Sequence, residues 1–202
     1  MKPQPLFIGG FSTSKWCYLP LVHYYRHICR ISDFTVIHPS PWYDIFGFNV
    51  WPFSVVQDNI NQCIDRKRPV VLIGHSLGGV YALLYMLHNS ATIARVITIG
   101  TPVVDSPKTD YERIIYKFIE VSDTYAHYDE IRKSVFRFSS RIVTISSPHD
   151  TLAPPERCFV ENGENYVVDL FSSRGINIAH VALPFIPCTT QIVAKILNST
   201  TS

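Results

Sequence analysis

From Pro69 to Ala94 the chain carries no Asp, Glu, Lys or Arg, yet the stretch is broken by Gly74-His75-Ser76-Leu77-Gly78-Gly79. Before the break stands Val70-Val71-Leu72-Ile73, a continuous apolar run of the kind that forms a parallel strand buried on both faces. After it, Leu77 to Asn89 has the length and composition of a buried helix. A lipid-spanning helix is a poor setting for that cluster of glycines around a histidine and a serine. A strand turning sharply into a helix inside a core accounts for the whole pattern. This turn is the strongest constraint on what the chain can become.

The rest alternates in the same way. Short strands are predicted at Pro5 to Ile8, Phe34 to His38, Arg95 to Ile99, Ile142 to Ser146 and Tyr166 to Asp169. Helices are predicted at Lys15 to Arg30, with Leu19, Val22 and His23 on one side and Pro20 in its first turn, at Ser54 to Arg66 with Ser54 as N-cap, and at Thr189 to Leu197. Alternation of this kind requires right-handed crossovers, hence a mostly parallel sheet with helices on both faces. With 202 residues, 47% apolar and 17% charged, a single α/β domain over 1–202 is expected, not a disordered chain. Two segments depart from the rhythm. Ser40 to Phe53 gathers Trp42, Tyr43, Phe46, Phe48, Trp51 and Phe53, and about 103–140 is longer than one crossover needs, which suggests a small helical excursion or lid at the rim.

Charge excludes some partners. The net charge is +2 and no basic run stands out, so no nucleic-acid partner is expected. Cys17, Cys29, Cys63, Cys158 and Cys188 have neither C-x-x-C nor zinc spacing. They read as mostly buried thiols, and neither a metal nor a cofactor is expected. Pro3 and Pro5 fall where the basic and apolar regions of a signal peptide would have to lie, so a cytoplasmic location without a transmembrane segment is expected.

The chemistry starts at Gly74-His75-Ser76-Leu77-Gly78, a G-x-S-x-G string between strand and helix. A serine there sits on a strained turn, with its hydroxyl exposed at the carboxyl edge of the sheet and a helix N-terminus beside it. It needs a base, and the base needs an orienting acid, in the chain order Ser, Asp or Glu, His. His180 follows the last plausible acids and precedes the final helix. Asp150 lies on the loop after Ile142 to Ser146, at the same sheet edge as Ser76, with Asp105 as its rival. Leu77, just after the nucleophile, supplies one backbone oxyanion donor, and Phe11, after Gly9-Gly10, supplies the second.

These residues, with Trp16 and with Gly100-Thr101-Pro102, resemble an α/β-hydrolase of the lipase/esterase kind, closest to compact bacterial lipases with a reduced sheet. The resemblance covers nearly the whole chain. It implies Ser76 as nucleophile, Asp150 as acid and His180 as base. One departure is that Gly9 stands where such lipases commonly carry His. A small-molecule or lipid ester is the expected substrate, with Trp16, Trp42, Phe46 and Trp51 as candidate wall residues. Thioester hydrolysis or acyl transfer by the same residues, and a non-catalytic binding module on the same fold, remain open at this point.

Overall fold

The central strands form because their residues alternate between two cores. The chain adopts β1 (Gln4–Ile8), β2 (Thr35–Ile37), β3 (Val70–His75), β4 (Ile93–Ile99), β5 (Ile142–Ser146) and β6 (Glu164–Val167), all parallel, in the order β2-β1-β3-β4-β5-β6. Residues 2–10, 13, 15–37, 53–103, 128–169 and 178–199 are described by the structure, a computed structural model. On one face of the sheet Leu6, Ile8, Val70, Leu72, Val96 and Ile142 pack together. On the other lie Phe7, Val71, Ile73, Ile97, Val143 and Ile145. The two-residue period of a strand puts neighbours on opposite faces, so runs apolar throughout can be buried on both.

Helices cover each face. The first core is closed by α2 (Phe53–Cys63), α3 (Leu77–His88) and α4 (Tyr128–Arg137), through Val56 and Ile60, Tyr81 and Leu84, and Ile131. The second is closed by the segment containing α1 (Leu19–His23) and by α7 (Pro187–Ser199), through Leu21, Tyr25, Val193 and Ile196. Between them lie the short α5 (Pro155–Cys158) and α6 (Ile178–Ala182). Strand order reverses beside β1: β2 is added on one side and β3 on the other. Ile8 is in register with Gly74, so the loops leaving β1 and β3 start side by side at the carboxyl edge. Such a switch point is where open α/β sheets form their binding crevice.

Several expectations change. The segment after β1 is not one helix, and of Leu19, Val22 and His23 only Val22 packs against the core. The segment is a 3-10 turn (Lys15–Tyr18), then α1, then a π-helical turn (Tyr24–Ile28). Its inward residues are Tyr18, Leu21 and Tyr25, while Leu19 is half exposed. The two tyrosines outcompete Leu19 because they bury larger rings: Tyr25 stacks on Phe34 at 4.3 Å and Tyr18 on Phe185 at 5.8 Å. Ser54 is not an N-cap, since α2 already begins at Phe53. The last strand runs Glu164–Val167, set by its register with β5 (Val143 opposite Glu164), not from Tyr166. The thiols are not mostly buried: Cys158 is, Cys29 and Cys63 are half-buried, and Cys17 and Cys188 are exposed. No single helix among the described residues is long and apolar enough to cross a membrane.

Candidate active site

Ser76 sits between β3 and α3 with φ 54 and ψ −122, a left-handed conformation that a side-chain-bearing residue adopts only when its surroundings enforce it. Three contacts enforce it. Its N–H donates to the Ile99 carbonyl at 2.9 Å, and its carbonyl accepts from the Thr101 hydroxyl and from the Gly79 N–H, both at 3.0 Å. Gly78 is required here because a Cβ would collide with the carbonyl of Ile8 in β1. The G-x-S-x-G spacing is therefore a packing requirement as well as a motif. Leu77 opens α3, so its amide has no partner within the helix.

The Ser76 hydroxyl lies 2.8 Å from His180 Nε2, and His180 Nδ1 lies 2.7 Å from Asp150 Oδ2. A buried carboxylate can only accept, so Nδ1 carries the ring proton and Nε2 offers its lone pair to the serine hydroxyl. Asp150 is fully buried, and its other oxygen, Oδ1, accepts from the amides of Leu152 and Ala153, each at 3.0 Å. Three N–H groups thus converge on one carboxylate, which offsets its burial. The turn after β4 makes room for this pair. Gly100 has φ +55, and a Cβ on it would stand 3.1 Å from Asp150 Oδ2 and 3.4 Å from His180 Nδ1. His180 lies in α6, not in an open loop, and is buried.

His75, one residue before the nucleophile, turns away from Ser76 into a structural position beside the base. Its Nε2 lies 2.9 Å from the carbonyl oxygen of His180 and its Nδ1 lies 3.0 Å from the Tyr18 hydroxyl. The available signal was strand periodicity: His75 follows Val71 and Ile73 at two-residue spacing and so shares their face, where Tyr18 also packs. Burial, reinforced by the adjacent His180, lowers the His75 pKa to about 3. Burial likewise raises that of Tyr18. Both are neutral across the physiological range.

A stability prediction follows, with a definite sign. Above pH 6.5 His75 is neutral in both folded and unfolded chains. Between 6.5 and about 3 the unfolded chain takes up a proton that the folded one refuses, so stability falls with pH by about 1.4 kcal/mol per unit. Urea unfolding at pH 7.5 and pH 5.0 should show a loss larger by about 2 kcal/mol in the wild type than in His75→Gln, which has nothing to protonate there. His180, Asp150 and Tyr18, the titratable groups facing His75, are retained in both proteins. Equal losses in the two would mean that His75 is protonated in the folded chain.

Of the other anticipated site residues, Trp16 is 60% exposed on the 3-10 turn ahead of α1. Phe11, Trp42, Phe46, Trp51 and Asp105 lie outside the described residues, as does 104–127 of the rim excursion. The part of the excursion that is described holds α4, whose Ile131 is buried against the core. His149, next to Asp150 in sequence, faces outward and pairs with Asp169 at 2.8 Å. Among the described residues no group of three His, Cys, Asp or Glu side chains is placed to hold a metal ion.

This architecture has many solved counterparts. A soluble variant of monoglyceride lipase from Saccharomyces cerevisiae, in complex with a substrate analog, superposes with a TM-score of 0.62 at 13% identity, covering 100% of this chain and 88% of that one. A lipase-esterase related protein from Clostridium acetobutylicum gives 0.61 at 16% identity, covering 97% and 93%. A putative non-heme bromoperoxidase from Mycobacterium tuberculosis gives 0.63 at 10% identity, covering 100% and 94%. No curated protein sequence matches. Identities this low establish the α/β-hydrolase fold alone, and the bromoperoxidase makes the point that one fold carries several chemistries. Family membership rests on sequence: the model of the PGAP1-like alpha/beta domain matches residues 54–163, more than half of the chain and the stretch that holds both Ser76 and Asp150, and the chain belongs to that family within the α/β-hydrolase superfamily.

Proposed function

We infer that this chain is a serine hydrolase that cleaves carboxylic esters through an acyl-enzyme. The observation that carries this reading is the unbroken line from Asp150 through His180 to the Ser76 hydroxyl, at 2.7 and 2.8 Å. In the reaction proposed, Ser76 Oγ attacks the ester carbonyl carbon while its proton passes to His180 Nε2. Asp150 keeps Nδ1 protonated and stabilises the imidazolium. The negative oxygen of the tetrahedral intermediate is received by the amides of Leu77 and Phe11. The intermediate expels the alcohol, which takes the proton from His180. Water then repeats the sequence on the acyl-serine, releasing the acid and returning the proton to Ser76. These steps draw on no metal or cofactor.

A lipid or small apolar ester suits the surroundings. Ile178 and Val181, flanking His180 in α6, are 54% and 60% exposed. The Saccharomyces neighbour is itself a monoglyceride lipase. Trp16, Trp42, Phe46 and Trp51 are proposed to line the acyl path. The test pairs a fluorophosphonate probe with p-nitrophenyl esters of graded chain length. The expected result is a single phosphonylated peptide containing Ser76, together with p-nitrophenol release that the probe abolishes. A chain that cleaves no ester of the series and leaves Ser76 unlabelled would overturn the reading.

A further inference from the structure

His75 and Tyr18 form a polar line through an otherwise apolar core, and its proton directions can be worked out. The His180 carbonyl can only accept, so His75 Nε2 carries the hydrogen and Nδ1 is a bare lone pair. Tyr18 has one hydroxyl proton and, among the described residues, two acceptors in reach, His75 Nδ1 at 3.0 Å and Thr13 Oγ1 at 3.2 Å. Sent to Thr13, it would leave a buried ring nitrogen with no donor, so it goes to His75. The Tyr18 oxygen in turn accepts from the Gly10 N–H at 3.0 Å, and the Thr13 hydroxyl donates to the Gly10 carbonyl at 2.7 Å. Both polar groups of Gly10 are thereby held. The line runs from the Gly10 amide through Tyr18 and His75 to the main chain of His180.

We propose that Tyr18 and His75 are positioning residues for ester hydrolysis, holding the loop after β1, which supplies an oxyanion donor, in register with the backbone of the base His180. The proposal rests on the serine-hydrolase reading. The peptide unit after Gly10 carries the amide of Phe11, and because a peptide unit is planar, orienting its carbonyl orients its N–H. The Tyr18 hydroxyl also sets the tautomer of His75. Without it, His75 can protonate Nδ1 instead, and a lone pair then faces the His180 carbonyl. The ring of His75 lies 5.2 Å from that of His180, so its neutrality also spares the imidazolium that forms on the base. A donor network fixed in advance matters most where charge develops, in the transition state.

Tyr18→Phe is the direct test, because it removes only the hydroxyl and keeps the ring that stacks on Phe185 and touches Phe7. The expected result on p-nitrophenyl esters is a fall in kcat of roughly 10- to 100-fold with KM within about twofold. Affinity for a trifluoromethyl ketone, which adds to Ser76 to give an oxyanion, should fall by a similar factor. His75→Gln, whose amide can still donate to the His180 carbonyl, should retain more kcat than His75→Leu at equal melting temperature. In the His75→Gln background Tyr18→Phe should cost less than in the wild type, since Tyr18 acts through His75. A Tyr18→Phe enzyme with wild-type kcat and ketone affinity and a lowered melting temperature would reduce the line to core packing. If Tyr18→Phe does not fold, equal kcat in His75→Gln and His75→Leu has the same meaning. A wild type that hydrolyses no ester and leaves Ser76 unlabelled by the fluorophosphonate probe instead fails the serine-hydrolase reading, and that is seen before any variant is made.

Discussion

Replacing Ser76 by alanine is expected to lower ester turnover by on the order of 10⁴-fold or more, about 5 kcal/mol of transition-state stabilisation, with little change in stability. The asymmetry comes from how the turn is held. Its bonds to Ile99, Thr101 and Gly79 all use backbone atoms of Ser76, which alanine keeps. The positive φ strains Ser and Ala alike. The side-chain bond lost, to His180 Nε2, is only partly buried, at the edge of solvent, where water can replace the hydroxyl. Steady-state kcat/KM and a thermal melt on the same sample check both halves. Turnover within tenfold of wild type would remove Ser76 from the mechanism.

Asp150→Asn is expected to lower kcat by about 10³- to 10⁴-fold, and unlike the serine variant it should also lower the melting temperature by several degrees. Three N–H groups converge on this side chain: His180 Nδ1 on one oxygen, and Leu152 and Ala153 on the other. An amide has a single oxygen. If it keeps the His180 contact, its NH₂ faces two backbone donors and the loop after β5 must shift. If it turns to satisfy the loop, its NH₂ faces Nδ1, and the imidazole takes the tautomer whose Nε2–H can no longer accept from Ser76. The first arrangement sets donor against donor, and the second removes the lone pair that Ser76 needs. Asp105→Asn should leave kcat unchanged. Because the three groups act as a unit, the Ser76→Ala, Asp150→Asn double variant should be no slower than Ser76→Ala alone. A sensitive Asp105 paired with an indifferent Asp150 would move the acid to the loop after β4.

Some of this molecule is written locally. The uncharged stretch around Gly74 to Gly79 can be nothing but a strand-turn-helix, because Gly78 must let β1 approach and Val70 to Ile73 must be buried on both faces. Chain order and loop position pointed to Ser76, Asp150 and His180, with Asp105 as rival acid, and the fold sets the first three in one hydrogen-bonded line. In α4 the helical spacing of Ile131 and Val135 puts both against the core. Between Lys15 and Ile28 helical spacing holds, through Tyr18, Leu21, Val22 and Tyr25, but a π-helical turn and two large rings set the inward face in place of Leu19 and His23.

What a sequence pattern cannot contain is which distant groups will share a hydrogen bond. The residue types and order at the elbow, the acid loop and the last histidine are local properties, legible because strand, turn and helix each impose their own spacing. The parallel order β2-β1-β3 is different, because it depends on which crossover goes to which side of β1. That choice sets the loop after β1 beside the elbow. It brings Tyr18 to within 3.0 Å of His75, and His75 to within 2.9 Å of the carbonyl of a residue 105 positions away. On the other side of the elbow, the order β3-β4-β5-β6 brings the segments that carry Asp150 and His180 to Ser76, with Nδ1 of His180 at Asp150 and Nε2 at Ser76. Residue identity made these groups able to pair. Packing on the sheet, which buries them where each must find its partner, decided that they do.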